Sequence, residues 1–220
     1  MLNDFFDKMQ GYKTYTFNLE ENIDIQFKSK INRFDRHMAL LKNILIFVET
    51  YTFDTELYLP KNWYVVSFNG SRESGSVDFK SEKIWIKPLK TMENVFTLWH
   101  EIGHLKDYSQ NSRLLYKDDE RNHKLIWLQS DKELKLKGVR EYLEREYFAW
   151  DFAFEILDKF ETSPQLNDRL LKYSEKCLLS HIDSFNYSTL FHNTTYEHRD
   201  ELIKDLDKWK GNYHVIENNI

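Results

Sequence analysis

Apolar residues recur at helical spacing along much of this chain. From Asn32 to about Thr50 they lie three or four positions apart, which predicts an amphipathic helix. Around position 100 they form one stripe that aromatic residues widen, so we expect a second helix that lies in the core. The members of that second stripe are Val95, Leu98, Ile102 and Leu105, widened by Phe96 and Trp99.

Further helices are predicted in the second half. Asp118 to Leu136 is charge-rich with a partial stripe, whereas Val139 to Leu157 has a complete apolar face. A helix follows Pro164, and the capping box Thr194-x-x-Glu197 opens a last one. The apolar positions of these two helices are Leu170, Leu171, Leu178 and Leu179, and then Leu202, Leu206 and Trp209.

Strands are predicted where aromatic and β-branched residues replace the helical pattern. Alternation within Lys13 to Lys28 is a weak strand signal, and Trp63 to Phe68, Val77 to Lys80 and Lys83 to Lys87 are stronger ones. The glycine- and serine-rich stretch Asn69 to Ser76 is a predicted loop, either a mobile flap or a plain surface turn.

The helix around position 100 also carries the pattern His-Glu-x-x-His, at His100, Glu101 and His104. Residues four apart lie on one face of a helix, so both imidazoles can bind one cation. Glu101 points about 100° further round the axis, where a base would accept a proton from a zinc-bound water. An incidental polar turn is the alternative, but unpaired histidines and a glutamate in a core helix would be costly. The pattern therefore predicts one zinc ion per chain.

A catalytic zinc needs a third protein ligand and keeps its fourth position for water. On the helix from Val139 to Leu157, Glu146 is the only charged member of the apolar face, and burying it calls for a cation. Glu144, Asp151 and Glu155 share the opposite, mixed side, where solvated charges are the ordinary interpretation. Glu146 is therefore the predicted third ligand, ahead of the other acids of this helix.

These elements together predict an α+β fold of zincin-like type, with a small twisted sheet, the His-Glu-x-x-His helix, a second ligand-bearing helix and C-terminal helices. We expect a metallopeptidase domain over 1–164 and a helical extension packed on it over 165–220. In such a fold an edge strand binds an extended peptide through its backbone. The stretch Ile84 to Ile86 is the candidate edge, and an internal strand is the equally open alternative.

Two motifs resemble those of the ImmA/IrrE group of gluzincin metallopeptidases. Phe96 to His104 matches the group's F-T-L-x-H-E-x-G-H, and Glu146 to Ala153 partly matches its E-x-x-A-N-x-F-A. Trp150 stands where the group usually has Asn, and Tyr108 where it often has His. The resemblance covers roughly Trp63 to Leu157. It implies a zinc-dependent endopeptidase of bacterial, mobile-element or phage origin, in a group with members that act on helix-turn-helix repressors.

Composition narrows the partners and the compartment. The 220 residues suggest one domain with a helical extension. The net charge is -5 and acidic and basic residues are interspersed, so the sequence shows no basic patch that would bind nucleic acid or an anionic membrane. The single cysteine, Cys177, excludes an internal disulfide and reads as a small core residue. Neither a signal peptide nor a membrane span is apparent, so the cytoplasm is the expected compartment.

The predicted function is a zinc metallopeptidase that hydrolyses peptide bonds in a protein substrate, a regulatory or repressor protein being one candidate. The alternatives are a binding module with a structural zinc and a hydrolase of another small amide. Glu101 argues against the first alternative, because a structural site needs only its ligands. The donor that stabilises the transition state is open among Tyr142, Tyr147 and His123. The sequence identifies neither the substrate nor the oligomeric state.

Overall fold

The computed structural model describes residues 13–18, 23–29, 49–67, 74–89, 91–110, 131–160, 164–187 and 198–213. These residues form small β-sheets and long helices, which confirms the α+β class. None of the helices described is long and apolar enough to cross a membrane. The predicted helix over 32–48, most of the charged stretch before residue 131, and the capping box at Thr194 and Glu197 lie outside these residues.

The chain divides into two compact units, Met1–Lys106 and Asp107–Ile220. The first contains the strands, and the second contains the helices of the C-terminal half. The predicted boundary between a catalytic domain and its extension, at residues 164 and 165, stays a prediction.

One sheet of the first unit contains strands β1 (Lys13–Asn18), β2 (Ile23–Ser29) and β3 (Glu49–Asp54). Strand β2 is central, antiparallel to β1 and parallel to β3. Its alternating Ile25 and Phe27 are fully buried, as a strand with one face in the core requires. The predicted helix ending near Thr50 is wrong at its end, because Glu49 and Thr50 begin β3.

The second sheet contains β4 (Tyr64–Ser67), β5 (Gly75–Asp78) and β6 (Lys83–Ile86), close to the three predicted strands. Its order is β4-β6-β5, with β6 parallel to β4 and antiparallel to β5. The candidate peptide-binding edge at Ile84 to Ile86 is therefore wrong and the internal-strand alternative is confirmed, since both sides of β6 are already paired. Among the described strands, β4 and β5 lie at the edges of this sheet. The last two residues of the predicted loop, Gly75 and Ser76, open β5.

Helix α1 (Met92–Gln110) follows the second sheet directly. Asn94 ties its first turn to the preceding chain, since its side-chain amide donates to the carbonyl of Pro88 at 2.6 Å. The apolar stripe predicted for this helix is buried throughout, with every member at most 1 % exposed. The stripe consists of Val95, Phe96, Leu98, Trp99, Ile102 and Leu105. The helix is thus a core element, as its periodicity predicted.

The second unit contains α2 (Lys132–Asp158), α3 (Pro164–Tyr187) and α4 (Arg199–Lys210). Helix α2 begins seven residues before the predicted Val139, because Asp131 caps it by accepting a hydrogen bond from the backbone of Leu134 at 3.0 Å. Glu146 is the only charged residue among those that α2 buries. The predicted apolar face of this helix is confirmed.

Asp151 joins the C-terminal helix to α2. Its Oδ1 accepts hydrogen bonds from the Trp209 indole nitrogen at 2.6 Å and from the Tyr213 hydroxyl at 2.5 Å. Phe154 stacks on the Tyr213 ring at 3.9 Å, and burial together with Asp151 raises the pKa of that phenol. The reading of Asp151 as a solvated charge is therefore wrong, because helical phase does not reveal a helix that docks on the mixed side.

Exposed ion pairs add a second set of contacts between α2 and α4. Arg140 lies 2.9 Å from Asp205 and 3.2 Å from Glu201, with all three side chains more than two-fifths exposed. Pairs of this kind contribute about 0 to 1 kcal/mol each. We therefore expect the aromatic stacking and the part-buried hydrogen bonds to Asp151 to stabilise the docking of α4 more than these exposed ion pairs do.

We expect Asp151→Ala to lower the free energy of unfolding by about 1–3 kcal/mol, because it leaves an indole N–H and a phenol without their acceptor. Urea unfolding followed by circular dichroism measures this. Glu144→Ala, an exposed acid on the same helix, is the matched control and should change stability little. Equal stability of the two variants would show that Asp151 does not hold α4.

Candidate metal centre

Helix α1 places His100 and Glu101 inside the protein. Each is 6 % exposed, while His104 is only partly buried. One turn earlier, Thr97 is 4 % exposed and its hydroxyl donates to the carbonyl of Glu93 at 2.8 Å, which uses its polar atom within the helix. Thr97, His100 and Glu101 are thus buried polar residues on one side of this core helix. A bound cation would lower the free-energy cost of burying the histidine and the glutamate.

The two imidazoles converge. Their Nε2 atoms lie 3.1 Å apart, with ring centroids 4.6 Å apart and planes at 78° to each other. Zinc–nitrogen bonds of 2.0–2.1 Å in a tetrahedral site would separate two ligating nitrogens by about 3.3 Å. Two Nε2 atoms at this spacing either share a proton or bind one cation. The pair therefore fits a metal ion with little rearrangement.

Glu146 joins this pair. One ligand atom from each of His100, His104 and Glu146 lies within 4.8 Å of the other two. Glu146 is 6 % exposed, whereas Glu141 and Glu144 on the same helix are exposed and Asp151 binds Trp209 and Tyr213. The structure thus brings together the three predicted ligands, and their binding of a metal stays a prediction.

Strand β5 begins beside the predicted general base. A Cβ atom added to Gly75 would lie 2.8 Å from Oε1 of Glu101 and 2.6 Å from Cγ2 of Thr97. Real Cβ atoms essentially never approach other atoms so closely. The strand can pass this close to the Glu101 carboxylate only because position 75 has no side chain. The edge strand near the base is therefore β5 and not the predicted β6.

Sequence reasoning missed His181, which lies on α3 and faces α2. Its Nε2 lies 3.5 Å from Oε2 of Glu146, and its Nδ1 lies 3.1 Å from the hydroxyl of Tyr142. The sequence around a lone histidine in an amphipathic helix does not show which side chains of another helix it will contact. The one available signal was its position in the helix next to Leu178 and Ile182, both fully buried, which would place His181 near the core.

The candidates for the donor that stabilises the transition state have different surroundings. Tyr142 contacts His181, whereas the ring of Tyr147 stacks on Trp209 with centroids 5.5 Å apart, and burial raises the pKa of its phenol. Tyr147 thus serves the packing of α4 on α2. His123 lies outside the residues that the structure describes.

Comparison of the chain with protein-family models, with curated proteins and with solved structures found no match. Any assignment of function therefore depends on the site itself.

Gly75→Ala should destabilise the protein by about 1–3 kcal/mol, the usual cost of forcing a methyl group into a packed contact. The measurement is urea unfolding. Ser76→Ala, the next residue on the strand, points to the other face of the sheet and is the matched control.

A second variant tests the cause. Thr97→Ser removes the methyl group that the new Cβ would meet and keeps the hydroxyl that bonds to Glu93. The double variant Gly75→Ala, Thr97→Ser should therefore be more stable than the sum of the two single changes predicts. Strict additivity would show that contact with the Thr97 methyl group is not the cause of the destabilisation.

Proposed function

We propose that this chain is a zinc-dependent metallopeptidase of zincin-like fold that hydrolyses peptide bonds in a protein substrate. The observation that carries the proposal is the grouping of His100, His104 and Glu146, with Glu101 on the same helix as the histidines. The resemblance of the two motifs to the ImmA/IrrE group supports the same assignment. It favours a regulatory or repressor protein as substrate and the cytoplasm as compartment.

Zinc is the ion that this donor set suits. Two imidazole nitrogens and one carboxylate oxygen are the protein ligands of a well-known class of catalytic zinc sites, which keep a fourth position for water or substrate. When bound, zinc would supply a Lewis acid and lower the pKa of a water molecule. Calcium and magnesium prefer all-oxygen ligands, so the imidazoles argue against both.

Glu101 would act as general base and then as general acid. Its carboxylate accepts a proton from the water that attacks the scissile carbonyl carbon, and it gives this proton to the leaving nitrogen as the C–N bond breaks. The products are a new carboxyl terminus and a new amine, so the step consumes one water and no other reactant. The 6 % exposure of Glu101 favours this role, because shielding from bulk water strengthens interactions with the reacting groups.

Glu101 also distinguishes the proposal from a binding module with a structural zinc. Burying a carboxylate that binds neither metal nor substrate costs free energy without improving a structural site. A structural zinc is moreover usually held by four protein ligands, commonly with cysteine among them. The only cysteine, Cys177, is not a member of this group.

We expect the purified chain to bind about one zinc per molecule, as a site with three protein ligands should. His104→Ala should abolish this binding, and Glu146→Ala should weaken it by orders of magnitude because a charge and a bond are lost together. Elemental analysis and competition with a chromophoric chelator measure both. Glu144→Ala is the control that should bind zinc normally. Full zinc occupancy in a His100→Ala, His104→Ala double variant would rule out the site.

Glu101→Gln should retain zinc yet lose turnover by a factor of about 10²–10⁴, because the amide keeps the size of the side chain and removes the base. Incubation with a mixed peptide library, followed by mass spectrometry of new termini, measures turnover without knowledge of the substrate. Loss of zinc together with activity would make Glu101 a ligand. A fully zinc-loaded wild-type chain that cleaves no peptide and no candidate repressor would favour the binding module.

A further inference from the structure

Three side chains of the second unit form a relay that ends on the predicted third ligand. Tyr142 and Glu146 lie four residues apart on one face of α2, and His181 of α3 faces both. We infer that His181 is a positioning residue that orients the Glu146 carboxylate for the metal, and that Tyr142 sets the tautomer of His181. The inference rests on the proposed function, since it concerns a ligand of the same site.

The hydrogen-bonding groups define the direction of the relay. The Tyr142 hydroxyl lies 3.1 Å from Nδ1 of His181 and can donate its proton there. A neutral imidazole that accepts at Nδ1 carries its proton on Nε2, and Nε2 is the atom that lies 3.5 Å from Oε2 of Glu146. In this tautomer the imidazole atom nearest to the carboxylate carries a proton, at an ion-pair distance that is longer than an ordinary hydrogen bond. The other tautomer would oppose a lone pair to the carboxylate.

Ring packing holds the first two members in place. Phe185, 1 % exposed and four residues after His181, meets the Tyr142 ring edge-on with centroids 5.4 Å apart. The Tyr142 and His181 rings also touch, with centroids 5.5 Å apart. Since Tyr142 packs against two side chains of α3, its hydroxyl has little freedom to leave Nδ1. The imidazole is therefore oriented before any metal binds.

The consequence for Glu146 is a restricted carboxylate. A terminal carboxyl group rotates over a broad range unless a neighbour fixes it, and the ion-pair contact of His181 with one of its oxygens narrows that range. Mutation of a residue that orients a metal ligand typically changes metal affinity by about 10- to 100-fold. A histidine that merely packed α3 against α2 would affect stability and leave metal affinity alone, so the two roles are separable.

The test compares zinc dissociation constants of full-length variants by competition with a chromophoric chelator, together with thermal unfolding of the metal-free proteins. His181→Ala should bind zinc about 10- to 100-fold more weakly. His181→Gln, which keeps a side-chain N–H donor, should recover part of the loss. Tyr142→Phe, which removes only the hydroxyl, should weaken zinc binding in the same direction by a smaller factor.

His198→Ala is the matched control. His198 lies in the same unit, and its Nδ1 is 3.1 Å from Oε1 of Glu201, so the substitution also removes a histidine paired with a glutamate. It should change the melting temperature and leave zinc affinity at the wild-type value. A control that lost zinc equally would show that general destabilisation explains the effect of His181→Ala.

The remaining outcomes separate this inference from the proposed function. Wild-type affinity in His181→Ala and Tyr142→Phe, with binding lost in Glu146→Ala, would overturn the relay and leave the metal site standing. Loss of zinc in His181→Ala as complete as in His104→Ala would overturn it too, because His181 would then be a ligand. A wild-type chain that binds no zinc would overturn the proposed function itself. If His181→Ala does not fold, Tyr142→Phe and His181→Gln decide the question.

Discussion

The burial of charge is the constraint on which the candidate site depends. Two carboxylates, Glu101 and Glu146, and the imidazole of His100 are each 6 % exposed within helices whose other buried residues are mostly apolar. Moving an ionised carboxylate out of water is costly unless positive charge or several donors compensate it. A divalent cation held by two imidazoles and one carboxylate would supply that compensation at a single point. The fold would then gain stability from the same ion that enables the chemistry.

Long periodic segments made most of the helical fold predictable. Apolar residues recur at helical spacing over several turns of α1, and over more turns of the α2 face that contains Glu146. The buried face of each helix could therefore be identified from the sequence. The same phase selected Glu146 among the acids of its helix, and the structure groups it with His100 and His104. The start of α2 was misplaced because a single cap, Asp131, extends the helix into a charge-rich stretch.

Pairing between distant segments could not be predicted in this way. A four-residue apolar strand such as β6 has the same composition whether it lies at an edge or in the centre, and only its partners decide. The contacts of His181 and Asp151 likewise depend on which helices pack together. Neither residue carries a motif, since one is a lone histidine and the other a helix acid of ordinary appearance. The sequence therefore indicated the three grouped side chains and not the residues around them.

The missing side chain at Gly75 lets the backbone of β5 lie against the predicted base. Backbone, rather than a side chain, borders the Glu101 carboxylate on the side of β5, so the surroundings of that carboxylate cannot be tuned there by ordinary substitution. Any residue with a Cβ atom would have to displace the strand or the side chains of Thr97 and Glu101. Position 75 thus constrains the Glu101 carboxylate from a second element of the chain, although it is not one of the three grouped residues.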